Sequence, residues 1–90
     1  MNFRVVWRER VLSDLHTRIF LAFEMGGYQD TLLAAADRIQ HALNTAPETA
    51  GESRDDTERV LIESPLTVTY EVFPNQQVVL IYSLTVHQVR

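Results

Sequence analysis

Cysteine is missing from this 90-residue chain, and so is lysine. Without cysteine there is no disulfide and no thiolate metal site, so the fold rests on burial alone. A reducing compartment suits such a chain, and the cytoplasm is the expected location. All the basic side chains are arginines, 8 against 12 acids, for a formal charge of −4. That usage agrees with genomic composition alone. An acidic balance argues against indiscriminate nucleic-acid binding, whose affinity comes from many phosphate contacts. It still leaves room for a local arginine cluster. No apolar run approaches the ~20 residues that span a bilayer, and Met1-Asn2-Phe3-Arg4 has no apolar signal core. Neither a repeat nor a low-complexity tract is present.

What the chain does have is enough apolar residues, 46%, for one domain over residues 1–90. Its C-terminal third repeats one kind of element. Val60-Leu61-Ile62, Leu66 to Phe73 and Val78 to Val86 are rich in Val, Ile, Thr, Tyr and Phe, the residues of a pleated surface. Ser64-Pro65 and Pro74-Asn75 separate them, which predicts an antiparallel meander. In the middle run Leu66, Val68, Tyr70 and Val72 share one face, opposite Thr67, Thr69 and Glu71; one face is covered and the other open. In the last run both parities are apolar, which predicts a central strand, with Tyr82 packed beside Leu80 and Leu84.

Phe3 to Trp7 forms a lead strand with Phe3, Val5 and Trp7 on one face, the natural neighbour of that central strand. Arg8-Glu9-Arg10 is a charged exit. A first helix follows, with Leu12, Leu15, Ile19, Ala22 and Phe23 in one stripe, stopped by Gly26-Gly27. Asp30 or Thr31 caps a second helix that runs to about Asn44. Leu32, Leu33, Ala35, Ala36, Ile39, Ala42 and Leu43 form its apolar face, with Asp37, Arg38 and Gln40 toward solvent. Pro47 ends it. Glu48 to Glu58 has neither period and reads as a surface loop, the kind of segment that often carries function. The expected order is β-α-α-β-β-β, an α+β pair of layers with a helical hairpin on one face of the sheet.

The chain resembles the RelE/ParE superfamily, the toxins of type II toxin–antitoxin modules. The resemblance rests on Phe3-Arg4-Val5-Val6-Trp7, the hairpin closing with Ile39, Ala42 and Leu43 before Pro47, and Gly51-Glu52-Ser53-Arg54. It rests further on Arg59-Val60-Leu61, Pro65-Leu66-x-Val68-x-Tyr70-x-Val72, and Val79-x-Ile81. It implies a metal-independent endoribonuclease acting on mRNA at the ribosome, or a toxin directed at DNA gyrase. It also implies a small antitoxin partner and no cofactor. In the ribonuclease branch the 2′-hydroxyl attacks the neighbouring phosphorus, cations stabilise the growing charge, and a tyrosine, histidine or carboxylate moves protons.

Carried onto this sequence, the resemblance makes Arg59, Arg54 and His87 the catalytic candidates, converging at one end of the open face, with Tyr82 as the other proton carrier. Arg59 can equally be a strand-end arginine paired with Glu58, Glu63 or Asp56. The loop Glu52 to Glu58 carries four acids and one arginine, which fits an alternative: a catalytically degenerate member that only binds protein. Asp37 and His41 have helical spacing and read as a salt bridge rather than metal ligands. Trp7 reads as core or contact surface. Ser13, Asp14 and His16 diverge around one helical turn and form no triad.

Overall fold

The computed structural model describes residues 2–55 and 57–87. The backbone runs β1 (Arg4–Trp7), α1 (Glu9–Met25), α2 (Gln29–Thr45), α3 (Pro47–Ala50), β2 (Glu52–Ser53), β3 (Glu58–Glu63), β4 (Leu66–Phe73) and β5 (Val78–Val86). The strands form one sheet in the order β1-β5-β4-β3-β2. The meander β3-β4-β5 is antiparallel, and β1 adds to its free side in parallel, Val5 opposite Val79 and Trp7 opposite Ile81. β5 is therefore central, as its double apolar character predicts. The expected order holds with two short additions. Pro47 opens the single turn of α3, its fixed φ suiting the first helical position, and β2 pairs with Val60 and Arg59. The stretch read as a loop thus begins as structure.

One extra residue on β5 governs the sheet. Tyr70 pairs with Ile81, but Thr69 pairs with Ser83, so Tyr82 has no opposite number on β4. Such a bulge reverses the parity of everything beyond it. Val79 and Ile81 are fully buried on the helix side; past the bulge, Leu84 and Val86 take over that contact. The apolar residues of the second parity thus have two sources: Leu84 and Val86, turned inward by the bulge, and Val78 and Leu80, which lie on the opposite face.

Val11, Leu15 and Ala22 of α1 and Leu32, Ala35, Ile39 and Leu43 of α2 close over Leu61, Leu66, Val68, Tyr70, Val79 and Ile81. The α1 stripe keeps Leu15, Ile19 and Ala22 as expected but differs at its ends: Val11 is buried in place of Leu12, and Leu12 and Phe23 are 38% and 64% exposed. The helix starts at Glu9 because β1 ends abruptly, the Arg8 amide still donating to Ile81 O (2.9 Å). Ser13 and Asp14 therefore lie inside it, and Asp14 holds Arg18 at 3.4 Å. At the other end Gly27 supplies the left-handed turn, φ 69°, with its amide on Ala22 O (2.7 Å). α2 likewise begins at Gln29, before the expected caps, and leaves Leu33 exposed.

α2 is tied to both sides of the sheet. Toward β1, Trp7 Nε1 donates to Gln40 Oε1 (2.8 Å) and Asn44 Nδ2 to Phe3 O (2.6 Å). Toward the β3–β4 turn, Arg38 donates to Glu63 Oε1 (3.0 Å) and Ser64 O (3.2 Å). Gln40 is thus a half-buried partner of Trp7 instead of a solvent residue, and Trp7 belongs to the core margin. Asp37 and His41 are exposed, and no ion pair joins them among the described residues. No helix in the described residues is long and apolar enough to cross a membrane.

The α3–β2 corner is fastened from within. Tyr70, fully buried, donates its hydroxyl to Pro47 O at 2.7 Å. A Cβ on Gly51 would come within 2.5 Å of Val60 O and 2.7 Å of that hydroxyl, so only glycine lets the backbones approach. Removing the hydroxyl strands a buried carbonyl. Tyr70→Phe is expected to lower unfolding free energy by about 1–3 kcal/mol, read from urea midpoints at unchanged slope.

Candidate functional site

Helices cover one face of the sheet, so the side chains between the buried positions form the other. Strand register sets them in rows. One row runs Val6, Leu80, Glu71, Glu58 across four strands; the next has Glu52, Val60, Thr69 and Ser83. Arg4, Val78 and Phe73 form a row at one end, and Ile62, Thr67 and Thr85 one at the other. Most of these residues are half-buried though no layer covers them; Ile62 is 66% exposed. Two carboxylates, Glu58 and Glu71, face each other directly across β3 and β4.

Tyr82 follows Leu80 onto this face rather than into the core, against the reading that packed it beside Leu84; the bulge turns Leu84 inward and leaves Tyr82 outside. Its hydroxyl donates to Glu58 Oε2 at 2.7 Å. Burial and that bond hold the proton on the phenol, and the charges of Glu58, Glu71 and Asp55 add to them, pushing the pKa up to about 12. Tyr82 is therefore a poor acid where it stands, and its one donor is committed to a carboxylate.

The three candidates do not converge. Arg59 pairs with Tyr70 and shares its helix-side face, where Nη2 donates to Gly51 O at 2.6 Å. Its buried Nε has no hydrogen-bond partner among the described residues. Among the described residues no ion pair joins Arg59 to Glu58 or Glu63, which is taken by Arg38; Asp56, the third partner expected, lies outside them. Arg54 is close by in the backbone: Ser53 stands opposite Arg59, and the Arg54 amide donates to Glu58 O (2.9 Å). Its side chain is exposed and lines a shallow groove of about 410 Å³ with Gly51, Glu52, Val60 and Ile62. His87 sits at the other end of the sheet, its amide on Pro65 O (2.7 Å) and Nε2 sharing a 2.6 Å hydrogen bond with Thr67 Oγ1. From the level of Arg59 to that of His87 is roughly 16 Å along the strands at ~3.3 Å per residue.

Arg59 and Arg54 are thus neighbours in the chain path but His87 is remote, and the open face belongs to Glu58, Glu71 and Tyr82. The alternation of Thr67, Thr69 and Glu71 announces that face in the sequence. The Tyr82–Glu58 contact does not show there, because it spans two strands and the apolar residues of both parities on β5 hide which side faces out. Among the described residues no group of three or more His, Asp or Glu is placed to hold a metal ion.

The raised Tyr82 pKa fixes a sign. An unfolded tyrosine loses its proton near pH 10, the folded one near pH 12. Between those values the folded chain binds more protons, so stability falls as pH rises through that window. Urea midpoints at about pH 9 and about pH 11 are expected to drop further for the wild-type chain than for Tyr82→Phe. Equal drops would mean that Tyr82 titrates as it does when unfolded.

No protein-family model matches the chain, and no curated protein matches it in sequence. Among solved structures it is similar to a chain of the toxin–antitoxin complex RelBE2 from Mycobacterium tuberculosis. The TM-score is 0.73 at 13% identity, covering 97% of this chain and 93% of that one. An α+β chain with a five-stranded mixed sheet, backed by a helical hairpin and matched over almost its whole length, has the RelE-type toxin fold.

Proposed function

We propose that the chain is the toxin-type member of a toxin–antitoxin module, and that it acts through protein partners, the first being an antitoxin held along the helical hairpin. The observation that carries this reading is the apolar surface the hairpin leaves bare. Leu12, Phe20, Leu21, Phe23, Met25 and Leu33 are 38–80% exposed, and of the exposed large apolar residues only Ile62 lies elsewhere in the described chain. On α1, Leu12 and Phe23 fall on one side of the buried stripe, with Phe20 beyond them, by helical phase. On the other side a groove of about 350 Å³ runs between Leu21, Tyr28, Leu32 and Val86. An amphipathic helix laid in that groove buries its apolar side chains there, and a partner that continues around α1 covers Phe20 and Phe23 on the other side. The shared fold with a chain of a toxin–antitoxin complex supports the same reading.

Of the two activities that the family resemblance implies, a gyrase-directed or other protein-directed toxin asks less of this geometry. A metal-independent endoribonuclease is the second reading. It draws on Arg54 and Arg59, which stand at adjoining strands, but needs His87 or Tyr82 to move protons from elsewhere. A catalytically degenerate binding module shares the partner surface with both.

Expressed alone the chain is expected to arrest growth, and co-expression with the product of the adjacent reading frame to relieve the arrest. Harmless expression with no co-purifying product would overturn the proposal. Burying a phenylalanine contributes about 1.5–3 kcal/mol, so Phe20→Asp with Phe23→Asp is expected to weaken that partner roughly 100-fold or more at a little-changed melting temperature. Replacing Arg54, Arg59 and His87 together by Ala separates the activities. Arrest persists if the target is a protein, whereas loss of arrest with partner capture intact supports the ribonuclease.

A further inference from the structure

We propose that the uncovered sheet face is a docking surface for a cationic, partly apolar segment of a partner protein, and not for RNA. The proposal rests on the reading that the chain works through protein partners, and adds the chemistry of what this face accepts. Its apolar share is Val6, Val60, Ile62, Val78 and Leu80, uncovered by any helix. Its charged centre is Glu58 opposite Glu71, with Glu52 in the neighbouring row.

Like charges placed directly opposite on paired strands repel, and among the described residues no cation offsets this pair; the Tyr82 hydroxyl is the one donor that the Glu58 carboxylate holds there. Among the described residues the ion pairs are Arg18–Asp14, within α1, and Arg38–Glu63, from α2 to the far end of β3. Arg4 lies on β1, at one margin of the sheet, and Arg54 follows β2, at the other. Four strand spacings separate those margins, roughly 19 Å at ~4.8 Å each, so the two cannot clamp one phosphate. The polar hydroxyl at the centre, that of Tyr82, already donates to Glu58. A phosphate here would meet two carboxylates, with only the neutral hydroxyls of Thr69 and Ser83 beside them and, among the described residues, no cation on this face of the strands between the two margins. A guanidinium or ammonium group between Glu58 and Glu71 would relieve their repulsion, while apolar neighbours in the same segment cover Leu80, Val6 and Val60. Complementarity of charge and apolar surface favours a cationic protein segment.

The test titrates two probes into the full chain at low and moderate salt and maps shifted backbone amides by NMR. One is a short peptide alternating valine and arginine; the other is a short single-stranded RNA. The peptide is expected to shift β4 and β5 amides, and Glu58→Gln with Glu71→Gln to weaken it roughly tenfold. The charge-matched pair Glu9→Gln with Asp37→Asn, both exposed on the helices, is expected to leave it within about twofold. Glu58→Gln alone keeps an acceptor for Tyr82 and is expected to give an intermediate loss. RNA shifts on this face, or equal weakening by both charge pairs, would overturn the proposal. Antitoxin capture at the hairpin is scored separately with the Phe20 and Phe23 variants, so either idea can fail while the other stands.

Discussion

A single unpaired residue on a central strand sets the arrangement of this domain. Because Tyr82 has no partner on β4, the helix-facing positions of β5 pass from Val79 and Ile81 to Leu84 and Val86. Without the extra residue, strict alternation would turn Ser83 and Thr85 toward the helices and Leu84 and Val86 to water. The same residue projects a phenol among carboxylates on the bare side. Packing of the core and chemistry of the open face thus share one backbone irregularity.

The helices are held by a small number of directional contacts added to a large non-directional one. Burial of Leu32, Ile39 and Leu43 against Leu66, Val68, Val79 and Ile81 supplies most of the attraction. It does not choose the angle of α2 over the sheet. Trp7–Gln40 and Asn44–Phe3 on one side, and Arg38–Glu63 on the other, fix that angle at two places. α1 has fewer such ties, and its outer half carries the exposed phenylalanines. The element with the fewest polar fastenings is also the one offering apolar surface to a partner.

The architecture was legible because periodicities of 2 and 3.6 survive in the apolar pattern. The central place of β5 could be read from its doubled apolar content, and the hairpin from Gly26-Gly27 and Pro47. The start of α2 was missed because it uses no side-chain cap; α1, also uncapped by a side chain, begins where the β1 ladder ends, a tertiary event. β2 is two residues long and has no pattern to show. The site was much less legible. Arg59 read in the sequence as a catalytic cation or an ion-pair partner, but the approach of Gly51 to β3 brings a carbonyl into its reach. His87 and Arg59 looked clustered because both end strands, yet they end at opposite ends of the sheet. Tyr82 looked buried because it shares parity with Leu80 and Leu84, yet Leu80 faces the open side and only Leu84, past the bulge, turns inward.

β3 outruns its neighbour. β2 covers Arg59 and Val60 only, so from Leu61 to Glu63 the outer rim of the sheet has no strand beside it among the described residues, with Ile62 projecting next to it. A rim of bare amides and carbonyls beside an oily side chain is a template for another β-chain. In a concentrated preparation of the lone domain it favours self-association through backbone pairing, a route that needs no complementary pocket. Shielding that rim is a service any bound companion would perform merely by standing in the way, whatever else it inhibits.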